Sequence, residues 1–136
     1  MMRLCHVAFT KERIMHTKIN WFEIPTVNLS RATQFYETIF DAPLQREEME
    51  NFPMAIFSDK DGQPIGCVIH GEPYKPSEYG TVIYLDAGPS IDDVIGRIRP
   101  AGGQVVMEKM KLPDDIGYIA HFVDTEGNRM ALHAAP

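Results

Sequence analysis

A ten-residue phrase that occurs twice limits the folds that this chain can adopt. The sequence reads FSDKDGQPIG at residues 57–66 and FVDTEGNRMA at residues 122–131, so the two copies lie 65 residues apart. Each copy is typical of a tight turn, in which aspartate accepts local backbone hydrogen bonds and glycine supplies a positive φ. The phrase therefore predicts two related hairpins and, with them, an internal duplication.

The residues around each hairpin follow the same order of predicted elements. Alternating apolar residues predict strands, and a stripe at i, i+3, i+4 and i+7 predicts each helix, with Asn28 and Ser90 as N-caps. In the first half the predicted ranges are strand 18–24, helix 28–40, and strands 44–49, 53–58 and 64–70. In the second half they are strand 81–86, helix 90–102, and strands 104–110, 117–124 and 128–134. The chain is therefore predicted to be an α+β protein with two tandem βαβββ modules, residues 16–72 and 79–136.

The remaining features of the sequence limit its partners and location. Residues 1–15 do not share the regular pattern and are interpreted as an N-terminal extension without a secretory segment. The net charge is −6 and the 13 basic residues are scattered, which argues against binding to nucleic acid. No apolar run approaches the roughly 20 residues that a membrane span requires. Two cysteines provide no disulfide framework, so we expect a cytoplasmic protein with free thiols.

Three stretches resemble one protein superfamily. They are WFEIPTVNLSRATQFYETIF, AGGQVV and IAHFVDTEGNRMALH, and the resemblance covers residues 17–134. They are similar to the glyoxalase/bleomycin-resistance/extradiol-dioxygenase proteins, also called the vicinal oxygen chelate superfamily, although Thr125 stands where proline is usual. The resemblance implies paired modules around a cavity, and a homodimer with sites built between modules. It does not specify a reaction, because the superfamily includes lyases, isomerases, dioxygenases and drug-sequestering proteins.

The resemblance also locates the positions at which metal-dependent members carry their ligands. Those members place His or Glu on the first and last strand of each module. In this chain the positions correspond to Trp21, Gly66, Thr81 and Ala131, with Gly80 as an alternative to Thr81. None of these suits a divalent ion, so the usual metal centre is predicted to be absent.

A different strand register would place other residues at the ligand positions. Asn20 or Glu23 would then replace Trp21, and Glu23, His70 and His133 would form a site for Zn, Ni, Fe or Mn. In the preferred register, alternation puts Trp21 and Glu23 on one face, Gly66, Val68 and His70 on one face, and Ala131 and His133 on one face. The resemblance implies that these are the cavity faces. Cys67 then faces the helices as a buried, unreactive thiol.

The preferred hypothesis is a protein that binds a small organic molecule without a metal. The ligand would contact Trp21, while Glu23, Thr81, His121 or His133 would hold its polar atoms, and Gly66 and Ala131 would leave room. The alternative is an enzyme, either a metal-dependent lyase or isomerase of the lactoylglutathione-lyase type or a dioxygenase with shifted ligands. A metal-free enzyme would use Glu23 as its catalytic base. A purely structural module with a filled cavity is the third hypothesis.

Overall fold

A computed structural model of the protein describes residues 14–49 and 51–136. Most of the predicted N-terminal extension lies outside these residues, so its role stays a prediction. The first module contains β1 (Phe22–Pro25), α1 (Leu29–Phe40), β2 (Gln45–Met49), β3 (Phe52–Ser58) and β4 (Pro64–Ile69). The second contains β5 (Tyr84–Asp86), α2 (Ile91–Ile98), β6 (Gln104–Leu112), β7 (Gly117–Val123) and β8 (Arg129–Ala134).

Each module forms its own four-stranded sheet. The strand orders are β1-β4-β3-β2 and β5-β8-β7-β6, with the first and last strand of each module parallel and the other pairs antiparallel. The predicted α+β fold of two tandem βαβββ modules is therefore confirmed.

Both helices begin at the predicted caps. The Asn28 side chain accepts the N–H of Arg31 at 3.0 Å, and the Ser90 hydroxyl accepts the N–H of Asp93 at 3.2 Å. Helix α1 ends at Asp41, which adopts a left-handed conformation with φ 51°. Helix α2 ends at Ile98, four residues before the predicted end at 102. Pro100 accounts for this, because proline has no backbone N–H to continue the helical hydrogen bonds, although the backbone of Arg99 before it is still helical with φ −63°.

The larger of two hydrophobic clusters lies between the helices and the inner faces of both sheets. Phe35 and Tyr36 of α1 contact each other edge-to-face at 5.0 Å, and both contact Phe122 of the second module. Tyr36 also contacts Phe57 of the first module at 5.4 Å. Because the core includes side chains from both modules, neither module buries its helix alone. We call the sheet face that lies away from the helices its outer face.

One extra residue in β4 makes the alternation of side chains in the first module differ from that in the second. In the second module, Phe122 pairs with Met130 and the next pair follows without interruption. In the first module, Ser58 pairs with Pro64 while Phe57 pairs with Gly66, so Ile65 has no partner of its own. Such a bulge moves every later side chain of the strand to the opposite face.

The bulge overturns three predicted orientations. A Cβ added to Gly66 would lie 2.5 Å from the Phe22 ring, so Gly66 faces the helices and not a cavity. Cys67 lies on the outer face in a cluster with Met54 and Ile69, and not under the helices as predicted. His70 lies just after β4, where its Nδ1 is 3.0 Å from the carbonyl oxygen of Thr26. The sequence offset between the two repeated turns could not reveal these changes, because the bulge follows the turn.

Candidate ligand-binding site

Three polar side chains form a hydrogen-bonded chain on the outer face of the second sheet. The hydroxyl of Tyr84 lies 2.8 Å from Nε2 of His121, and Nε of Arg129 donates to Nδ1 of His121 at 3.1 Å. Tyr84 and His121 are both cross-strand partners of Ala131, which is fully buried. Because Ala131 is small, the two larger rings meet edge-to-face, 5.3 Å apart.

The bond from Arg129 determines where the protons of this chain lie. Nδ1 of His121 accepts a hydrogen bond, so the neutral imidazole carries its proton on Nε2 and donates it to the Tyr84 oxygen. The phenolic proton of Tyr84 is then available to an acceptor outside the chain. Burial, and then the charge of Arg129, lower the pKa of His121. The imidazole therefore stays neutral near pH 7, as this geometry requires.

Apolar side chains surround this polar chain. Met107 pairs with His121 across the β6–β7 ladder, and Met110 pairs with Ile119, so all four side chains share the outer face. Met110 and Tyr84 are 45% and 37% exposed, which is high for such large residues. The outer face thus combines a few positioned polar groups with apolar contact area, as small-molecule sites do.

The sequence placed several residues of this face correctly and missed two. Ala131 and His133 lie on the outer face, as the alternation of β8 predicts. Nε2 of His133 lies 2.7 Å from the carbonyl oxygen of Ile116, so this histidine bonds to a neighbouring loop. Thr81 is exposed and precedes β5, and the position expected there belongs to Tyr84.

Tyr84 and Arg129 were missed for different reasons. Tyr84 corresponds to Glu23, since each lies opposite an equivalent position of the last strand, Ala131 and Cys67 respectively. The sequence did contain one signal for this correspondence. Apolar Leu85 follows Tyr84 as apolar Ile24 follows Glu23, and both apolar side chains are buried. Arg129 follows the second repeated turn, but only the tertiary fold brings it to His121.

The outer face of the first sheet is covered by the linker between the modules. Tyr74 contacts Phe52 edge-to-face at 5.9 Å, and a hydrogen bond with Glu23 raises the pKa of Tyr74. Burial, with the nearby charge of Glu23, raises the pKa of Cys67 to about 12. The thiol is therefore unreactive, as predicted. Trp21 lies immediately before β1 and is 38% exposed.

A groove lies on the helix side, between the end of α1, the β3–β4 turn and β5. Its volume is about 630 Å³, and apolar side chains that include Phe40, Phe57 and Leu85 form its walls. Asp59 and Asp86 lie at its rim. This volume is within the few-hundred-Å³ range of ligand pockets, which argues against a module with every cavity filled.

In the part of the chain that the structure describes, the residues at the expected ligand positions do not fit a divalent metal. By strand register, Glu23 is equivalent to Tyr84, and Cys67 is equivalent to Ala131. The second module therefore has a tyrosine and an alanine where the first module has a carboxylate and a thiol. Within residues 14–49 and 51–136, no group of three or more His, Cys, Asp or Glu side chains could hold a metal ion. Nδ1 of His70 lies 3.0 Å from the carbonyl oxygen of Thr26 and Nε2 of His133 lies 2.7 Å from that of Ile116, and among the described residues these histidines form no such group with Glu23.

Comparison with known proteins agrees with the strand topology. The family model for the Glyoxalase/Bleomycin resistance protein/Dioxygenase superfamily matches residues 18–132. The chain belongs to this superfamily. No curated protein matches the chain. Among the helices that the structure describes, none has both the length and the apolar character needed to cross a membrane.

Solved structures of this superfamily share the fold at low sequence identity. A glyoxalase/bleomycin resistance protein/dioxygenase family enzyme from Burkholderia phytofirmans matches with a TM-score of 0.64 and 14% identity, over 88% of this chain and 100% of that one. The fosfomycin resistance protein FosX from Listeria monocytogenes matches with a TM-score of 0.60 and 17% identity, over 90% and 96%. A glyoxalase/bleomycin resistance protein from Albidiferax ferrireducens gives 0.62 and 17%, over 86% and 98%.

Proposed function

We propose that this superfamily member binds a small organic molecule on the outer face of the second sheet, without a resident divalent metal. The observation that carries the proposal is the chain from Tyr84 through His121 to Arg129. Its geometry holds two hydrogen-bond donors in place before a ligand arrives, which reduces the entropy lost on binding. The exposed apolar side chains beside it supply contact area for the body of the ligand.

The chemistry of the residues supports binding more than catalysis by the predicted base. Glu23 lies on the other sheet, where it bonds to Tyr74 and faces the unreactive thiol of Cys67. A base for proton abstraction needs an electrophilic group opposite it, whereas the described neighbours of Glu23 are the phenol of Tyr74 and the thiol of Cys67. We therefore propose Tyr84 and Arg129 in place of Glu23 and Thr81 as the principal ligand contacts, with Trp21 at most at the border.

We also propose a cytoplasmic homodimer. The support is the exposed apolar area at Tyr84, Val106 and Met110, which a second copy would cover in part, and the free, buried thiol of Cys67. Measurement of the solution mass tests the oligomeric state, and a monomer at working concentration would contradict it.

The binding site is tested by titrating a fragment library into ¹⁵N-labelled protein. Binders should shift the amide signals of Tyr84, His121 and Arg129. The Tyr84→Phe variant should reduce the affinity of these binders by about tenfold, the effect of one good hydrogen bond. Tyr79→Phe is the matched control, since Tyr79 is 86% exposed and bonds to Ser77 through its backbone and not through its hydroxyl. Binders that shift only other residues would disprove the location.

The metal-free part of the proposal has its own measurement. Elemental analysis of protein purified without chelator should give far less than one metal ion per chain. Stoichiometric Zn, Ni, Fe or Mn would overturn this part and would favour the metal-dependent lyase, isomerase or dioxygenase.

A further inference from the structure

The side chain of Arg129 has a different kind of hydrogen-bond partner from those of the other described arginines. Arg31, Arg46 and Arg99 each pair with a carboxylate, and Arg97 donates to a backbone carbonyl. The side chain of Arg129 donates only to the neutral imidazole of His121, and no carboxylate of residues 14–49 or 51–136 pairs with it. Arg129 is half-buried, and none of the described carboxylates serves as its counter-ion.

The bond to His121 leaves the outer end of the guanidinium for a ligand. Nε is engaged, whereas the two terminal nitrogens make no hydrogen bond within the described residues. These nitrogens form the flat fork that binds carboxylate or phosphoryl oxygens in a bidentate manner. The same bond directs the phenolic proton of Tyr84 outward, so both ends of the chain are donors. Asp86 lies two residues after Tyr84 on β5, and its carboxylate accepts the N–H of Gly88 at 2.9 Å.

We infer that the ligand of this face is a small organic anion whose carboxylate or phosphoryl oxygens bind the terminal nitrogens of Arg129, with a further acceptor atom at the Tyr84 hydroxyl. This inference rests on the proposed function, since it names the class of molecule bound there. Met107, Met110 and Ile119 contact its apolar body. A cationic ligand is disfavoured, because it would meet a guanidinium and a hydroxyl donor.

A series of four probes of nearly the same shape tests this inference: benzoate, phenylphosphonate, benzamide and benzylamine. Affinities are measured by NMR titration of the full chain, with the Arg129 Nε–H signal as the local readout. At least one of the two anions should bind about tenfold more tightly than benzamide, in keeping with a charge-assisted bond. Benzylamine should not bind at this face. Comparison of benzoate with phenylphosphonate shows which oxyanion is preferred.

Two variants remove the same charge from different faces of the second sheet. Arg129→Gln should abolish the preference for anions, whereas Lys111→Gln should leave it unchanged. Lys111 pairs with Tyr118, whose ring lies on the helix side, so its side chain does not reach the outer face. A general attraction to positive charge would reduce the preference equally in both variants and would overturn the inference.

The remaining outcomes separate this inference from the proposed function. Equal affinity for benzoate, phenylphosphonate and benzamide, with shifts at Tyr84 and His121, overturns the anion preference while the binding site stands. Failure of all four probes to bind also overturns it, and the fragment library then decides the proposed function independently.

Discussion

The two copies of the repeated turn have the same backbone and different surroundings. In each, the aspartate N–H donates to the residue four positions later, at 2.8 Å from Asp59 to Gln63 and at 2.9 Å from Asp124 to Asn128. Each aspartate side chain also accepts two backbone N–H groups of its own turn at 2.9 Å. Yet Asp59 is exposed and Asp124 is 4% exposed. Local chemistry therefore explains the turn but not its environment.

The second turn bonds to the start of α1 in the other module. Glu126 accepts the N–H groups of Val27 and Asn28 at 2.8 and 2.7 Å, and Arg31 donates to it at 2.8 Å. Asp124 accepts the hydroxyl of Tyr36 at 2.6 Å. This carboxylate pair thus links the modules through a helix N-terminus, where negative charge is favourable.

The first turn makes no corresponding bond to any residue that the structure describes. Its equivalent acid, Asp61, is exposed at the groove between the modules. The first turn of α2 carries Asp92 and Asp93, whereas that of α1 carries Arg31 and no acid. An acid from the turn is attracted to the start of α1 and repelled at the start of α2. A duplicated sequence has therefore provided one surface turn and one structural junction.

The largest difference should appear when the aspartate of each turn is replaced by alanine. Asp124→Ala removes a buried acceptor from Tyr36, Asn128 and two backbone N–H groups, so about 3 kcal/mol of the unfolding free energy should be lost. Asp59→Ala, the matched control, should cost about 1 kcal/mol, since water can replace the exposed carboxylate. Urea unfolding measures both, and equal losses would show that the burial of the second turn contributes nothing.

Replacing the second acid of each turn by its amide should give a smaller difference. Glu126→Gln keeps one oxygen for the amides of α1 but loses the charge, so we expect a loss of about 1–2 kcal/mol. The ion pair itself contributes little of this, since Arg31 is 50% exposed. Asp61→Asn should change stability by less than about 0.5 kcal/mol. A comparable loss in both variants would contradict the proposed junction.

The effect of Glu126 should also depend on pH. Burial alone would raise its pKa, but the hydrogen bonds from Arg31, Asn28, Thr125 and Val27 outweigh burial and lower it. A depressed pKa in the folded state stabilises the protein above the usual glutamate pKa, and this stabilisation is lost as pH falls through the folded value. The stability difference between wild type and Glu126→Gln should therefore shrink as pH falls from the usual glutamate pKa through the lower pKa of the folded state. A constant difference would mean that the carboxylate charge is not involved.

The smallest effect should come from copying the second turn into the first. Asp61→Glu gives the first turn the glutamate of the second, yet no helix N-terminus with a basic residue lies opposite it. The unfolding free energy should change by no more than about 0.5 kcal/mol. A clear gain, measured by urea unfolding, would show that the longer acid alone can form the junction.

Local sequence patterns predicted much of the fold, but they did not predict two of the three polar residues of the candidate site, Tyr84 and Arg129. The caps at Asn28 and Ser90 and the inward apolar residues of β8 depend on neighbours in sequence, so the pattern predicts them. Tyr84 and Arg129 could not be predicted as a pair, because the contact with His121 depends on three strands pairing in one register. The predicted site was therefore centred on Trp21 and Glu23, which the structure places just before and within β1 of the first module.

The sequence alone determined the duplication, the order of strands and helices and the turn conformations, since each depends on hydrogen bonds or periodicity within a few residues. The tertiary structure decided which side chains meet. One unpaired residue, Ile65, reverses the faces of β4, and the pairing of β5, β7 and β8 brings a tyrosine, a histidine and an arginine together. The physical reason is that side chains alternate with a period of two, so one inserted residue exchanges the two faces without altering the composition of the strand.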